Sequence, residues 1–129
     1  MAIRIVRLGT RRLRGEGLRI GAARRPPRGV KKKDYARLDY YDLWLPELAP
    51  SEKTVSWALS QPWTQKRWAK FARDYRREMG KPEATRLLEL LARLSRQTNF
   101  SLGCYCEDEK RCHRSILREL FAEHGAKLA

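Results

Sequence analysis

Apolar positions change their period along this chain, and the changes mark its elements. Near the start, Ile3, Ile5 and Leu8 are interspersed with Arg4 and Arg7, the alternation of a half-buried strand. Gly17 to Ala23 predicts a second strand, with the basic run Thr10 to Glu16 as the turn between them. Pro26 and Pro27 then remove backbone donors, so Arg24 to Lys33 cannot be a core strand or a helix interior and is expected to be an exposed loop. Beyond Pro50 the period becomes helical. Ser51 can cap a helix of about nine residues carrying Val55, Ala58 and Leu59. Trp68, Phe71, Ala72, Tyr75 and Met79 recur at steps of three and four from a start at Thr64. Gly80 ends that helix, and Pro82 suits the first turn of a third, with Leu87, Leu88, Leu91 and Leu94 as its stripe. Asn99 to Cys106 predicts another strand. Cys112 or His113 opens a last helix with Ile116, Leu117, Leu120 and Phe121 inward and Gly125 as its stop. Strands at both ends with helices between and after them predict an α/β fold: a small, mostly parallel sheet with helices packed on it, in a single layered domain over residues 1–129.

The length of 129 residues agrees with one domain. No apolar run approaches a membrane span, and Arg4 and Arg7 break the first eight residues, so no membrane partner and a cytoplasmic location are expected. The formal net charge is +14, and residues 1–37 hold 13 basic against 2 acidic side chains. That concentration points to an anionic partner, either nucleic acid or a small anionic ligand. A single Asn and three Gln fit a thermophile-like composition. Three cysteines, an odd number within a short stretch, indicate a local site rather than a secreted disulfide framework.

Five motifs coincide in order: RPPRGVKK at 25–32, LAPS at 48–51, the helix of Trp57, a WxxFxxxYxxE pattern from Trp68 to Glu78, and CYC at 104–106 followed by CHRSIL at 112–117. Together they resemble the family called domain of unknown function 488, over roughly Gly17 to Phe121. The resemblance implies a compact α/β domain and brings no established reaction with it. The chain departs from the family's first motif, in which an acidic residue precedes the arginine and a tryptophan precedes Pro-Arg-Gly. Here Ala23 and Pro26 or Pro27 stand at those places.

On a strand, Cys104 and Cys106 would share a face, and Cys112, His113 and Arg114 would follow at a helix start, where anions are favoured and thiol pKa values fall. Cys106, Cys112, His113 and Arg114 are therefore the candidate catalytic set of a thiol-dependent enzyme. A thiol phosphatase would want five residues between cysteine and arginine, and Cys106 has four before Arg111 and seven before Arg114. A zinc site of Cys104, Cys106, Cys112 and His113 has unusual spacing, and adjacent Cys112 and His113 can hardly both face one ion. A Cys106–Cys112 disulfide is a further reading, and the simplest makes the cysteines small buried hydrophobes. No metal or cofactor is assigned. The candidate binding set is Arg24, Arg25, Arg28, Lys31, Lys32 and Lys33 in a basic loop over 24–37, together with Arg114. Tyr35, Tyr40 and Tyr41 stand close behind as aromatic planes for stacking. Trp57 and Trp68 share helix faces with apolar neighbours and are expected in the core. The expected function is binding of nucleic acid or an anionic ligand, with the thiol enzyme as the alternative; the sequence leaves the oligomeric state open.

Overall fold

A computed structural model describes residues 1–129. Four strands, β1 (Ile3–Arg7), β2 (Leu18–Gly21), β3 (Leu43–Trp44) and β4 (Phe100–Cys104), form a wholly parallel sheet in the order β1-β4-β2-β3. β4 is central and every one of its residues is buried. Its register sets Ile5 and Ile20 on either side of Leu102, with Gly103 between Val6 and Gly21. Gly103 is required by that closeness, because a Cβ there would lie 2.5 Å from the Val6 carbonyl oxygen. Gly21 is required for a different reason: a Cβ would strike the ring of Tyr41, which lies over the end of β2.

Four helices complete the predicted α/β architecture: α1 (Glu52–Leu59), α2 (Gln65–Met79), α3 (Pro82–Leu94) and α4 (His113–Glu123). Ser51 caps the first as expected, and Thr64, the expected start of the second, proves to be its cap; they accept from the backbone N–H groups of Thr54 and Arg67. Phe71, Tyr75 and Met79 of α2, Leu88 and Leu91 of α3, and Ile116, Leu117 and Phe121 of α4 bury one continuous core against Ile3, Ile20, Phe100 and Leu102 of the sheet. Trp57 and Trp68 pack against that core half-buried rather than inside it. The Arg67 guanidinium lies 4.1 Å from the Trp57 ring centroid, so a cation covers the wet face of that indole.

Alternation along the strands turns Arg19 and Ser101 to the opposite face of the sheet, and both are fully buried. Glu16 joins them there. It accepts from Arg19 Nε at 2.8 Å, Arg19 Nη2 at 3.0 Å, Ser101 Oγ at 2.7 Å and the Leu13 N–H at 3.2 Å. Arg19 Nη1 also donates to the carbonyls of Thr10 and Asp39, which fastens the β1–β2 turn and the end of the basic loop to the sheet. Burial alone would raise the Glu16 carboxyl, but the hydrogen bonds from Arg19, Ser101 and Leu13 outweigh it and hold it at about 2.

Two expected strands are shorter than their patterns, and one strand is new. β2 spans Leu18–Gly21 within the expected Gly17 to Ala23. The last strand stops at Cys104, two residues early, so Cys106 lies in the following turn and shares no strand face with Cys104. The two-residue β3 was not expected, since a pair of residues offers no period to detect.

Candidate functional site

The parallel sheet brings the carboxyl ends of β2 and β4 to one edge, the usual place for a ligand in an open α/β sheet. Ala23, Cys104 and Cys112 pack together there. After β4 the chain reverses through a single 3₁₀ turn, Glu109–Arg111, which Asp108 caps by accepting from the Lys110 N–H. That reversal lays Cys112, the N-cap of α4, back against the strand end. As a result the sulfurs of Cys104, Cys106 and Cys112 all lie within 4.8 Å of one another, and all three thiols are free. Cys104 and Cys112 are buried, while Cys106 is exposed.

His113 Nε2 lies 2.6 Å from the Ala22 carbonyl oxygen and donates its hydrogen there, which turns Nδ1 toward Cys112 Sγ at 3.8 Å. The three thiols do not share their acidity evenly. Donation from the Cys104 and Cys106 thiols, aided by His113, lowers Cys112 against the effect of burial. Donation to Cys106 and Cys112, together with burial, raises Cys104. Cys106 is favoured as a thiolate by Cys104, but donation to Cys112, burial and the charge of Cys112 push it up to about 11.

The cluster floors a cleft of ≈530 Å³ whose apolar wall includes Val55, Trp63 and Phe71 and whose rim carries Arg7, Arg25 and Arg111. A second cleft of ≈560 Å³ shares Arg7, Arg25 and Tyr105 with the first and adds Arg28 and Tyr40. The rings of Tyr40 and Tyr105 meet edge to face with centroids 6.1 Å apart. Glu107, Asp108 and Glu109 do not oppose anions as a block: Glu107 faces Arg7 at 3.7 Å, Asp108 caps the turn, and Glu109 pairs with Arg118 at 2.6 Å.

The residues singled out as binders divide into three groups. Arg28, Lys31, Lys32 and Lys33 are exposed and have no acidic partner. Arg25 is exposed and pairs with Glu52. Arg24 lies on the first cleft, but its guanidinium is spent on the carbonyls of Pro46, Ala49 and Pro50 at 3.0, 3.3 and 2.8 Å. Arg114 is 4% exposed and lies outside both clefts; its Nη2 donates to the Cys106 carbonyl at 2.6 Å, and its Nε is buried without a partner. Tyr40, one of the three tyrosines expected to offer stacking planes, lines the second cleft, whereas Arg7, Arg111, Trp63 and Tyr105 line the clefts without having been singled out as site residues. Nothing in the sequence brings Trp63 to the thiols.

The family model DUF488-N3a, described as the active DUF488-N3 subclade, matches residues 3–125. The chain belongs to the DUF488 family. No curated protein and no solved structure matches it. Three of the five motifs meet at one turn of this DUF488 chain. The LAPS carbonyls receive Arg24, the buried Tyr75 hydroxyl donates to the Leu48 carbonyl at 2.6 Å, and Glu78 accepts from the Ser51 N–H at 2.8 Å and the Thr54 hydroxyl at 2.6 Å. These motifs fix the α1–α2 corner beside the cleft. The membrane expectation also stands at its coarse level: no helix is long and apolar enough to cross a bilayer.

Proposed function

We propose that the protein binds phosphate-bearing polyanions, polynucleotides first among them, along its basic loop, with the adjoining clefts receiving a base or an end group. One observation carries this reading: Arg28, Lys31, Lys32 and Lys33 stand exposed and unpaired, although most acidic side chains elsewhere have found a cationic partner. Unpaired cations in a row are free to exchange counterions for phosphates. Tyr40 and Tyr105 next to Arg28 supply aromatic faces of the kind on which unstacked bases rest. The arginines on the rim of the first cleft extend the same field toward the thiols.

The thiol-enzyme reading draws on the contact between Cys112 and His113 and on the description of the matched subclade as active. Accessibility and activation fall on different cysteines, however. The exposed thiol, Cys106, is pushed up to about 11 and stays protonated at neutral pH, while Cys112, whose thiolate is favoured, is 2% exposed. The binding reading therefore has the stronger support.

Titration of labelled single-stranded and duplex oligonucleotides at low and raised salt tests it. The expected result is binding with little sequence preference that weakens steeply with salt. Absence of binding at low salt would overturn it.

A further inference from the structure

We propose that Cys104, Cys106 and Cys112 form a three-thiolate zinc site whose fourth coordination position opens toward the first cleft. Judged on spacing alone, these residues make a poor closed site, because His113 would have to be the fourth ligand. In the fold, the three sulfurs converge without it: strand end, turn and helix N-cap each contribute one, and all lie within 4.8 Å of one another. Zinc–sulfur bonds of about 2.3 Å place the sulfurs of a three-thiolate centre about 4 Å apart. The closure required is under about 1 Å, within the reach of side-chain rotation on a fixed backbone.

Three further observations fit a metal better than packing. Small buried hydrophobes would not include Cys106, which is exposed at the cleft. The cluster contains no carboxylate or other hard oxygen ligand, so its chemistry selects a soft or borderline ion such as zinc over calcium or magnesium. Zinc with three thiolates carries a net negative charge that a buried site must compensate. Arg114 supplies a permanent cation, its Nη2 2.6 Å from the Cys106 carbonyl and its buried Nε hydrogen without a partner, and the eleven-residue α4 directs its N-terminus to the same place.

The cluster of converging ligand atoms contains the three sulfurs alone: His113 Nε2 is committed to the Ala22 carbonyl, and its Nδ1, although 3.8 Å from Cys112 Sγ, does not converge with all three, which leaves the fourth position open. Three protein ligands and one open position are the pattern of reactive zinc sites, whereas structural sites are closed by four. The open position faces a cleft rimmed by Arg7 and Arg111, which suits an anionic oxygen as the exchangeable ligand. The proposal does not depend on the polynucleotide reading.

The full chain, reduced and stripped of metal, should take up one zinc per chain in competition with a chromophoric chelator. Cobalt loaded in its place should show thiolate-to-metal charge-transfer absorption. Cys106→Ser is the decisive variant, because its exposed position keeps the fold intact, which circular dichroism verifies. It should weaken zinc binding more than about hundredfold, the upper end for loss of a mere outer-shell partner. Cys104→Ser and Cys112→Ser, where folded, should do the same. No zinc uptake by the reduced chain, cobalt bound without thiolate bands, or unchanged affinity in Cys106→Ser would each overturn the proposal.

Discussion

Replacing Glu16 by Gln should be among the most damaging single changes on the sheet. The side chains of Glu16 and Arg19 are only 2% and 1% exposed, and the carboxylate is the only acidic partner within reach of that guanidinium. The amide keeps the shape but removes the charge, so Arg19 is left buried and uncompensated, a loss of about 3–5 kcal/mol. With a urea slope on the order of 1.5 kcal/mol per molar, the unfolding midpoint should fall by about 2–3 M. The pH dependence gives an independent check. Glu16 is held at about 2 in the folded protein, below its ordinary 4.5, so its contribution is complete above pH 4.5 and is lost as pH falls through 2. Wild type should lose about 2 kcal/mol from this group by pH 3, whereas Glu16→Gln has no such loss at this position. Other acidic groups titrate in both proteins and cancel in the difference. The stability gap should therefore narrow from pH 7 to pH 3. A gap below about 1 kcal/mol at pH 7, or one that does not narrow, would refute the reasoning.

Two further outcomes separate anchoring residues from binding residues. Arg24→Met should destabilise the fold by about 2–3 kcal/mol through three abandoned carbonyls while leaving oligonucleotide affinity unchanged, as urea melts and titrations of the same variant will show. Gly103→Ala should abolish the cooperative thermal transition or lower its midpoint sharply, because the added methyl meets the β1 backbone, which cannot yield without breaking the β1–β4 ladder.

The helices were legible because each writes its stripe and its stop locally: Thr64 and the α2 stripe ending at Gly80, Pro82 opening α3, Gly125 closing α4. The same logic failed where long-range partners decide a side chain's role. Glu16 sits in a basic run that has every mark of an exposed turn, and only the partner strand bearing Ser101 shows it to be buried. Arg24 and Arg114 belong to charged runs, yet backbone carbonyls distant from them in sequence or brought round by the turn hold both. Sequence spacing counted residues between Cys106 and Cys112. It could not show that the 3₁₀ turn folds those residues back so that three sulfurs meet. The free loop cations were legible because an unpaired surface charge needs no tertiary partner to be what it is.

The most direct test of the proposed function is the salt dependence of duplex DNA affinity, compared between wild type and the variant with Arg28, Lys31, Lys32 and Lys33 all replaced by Ala. Each phosphate contact contributes a slope of about 0.9 in log affinity against log salt, so the variant should bind more weakly, with a slope shallower by up to about 3.6. Equal affinity and equal slope in the two proteins would contradict the account.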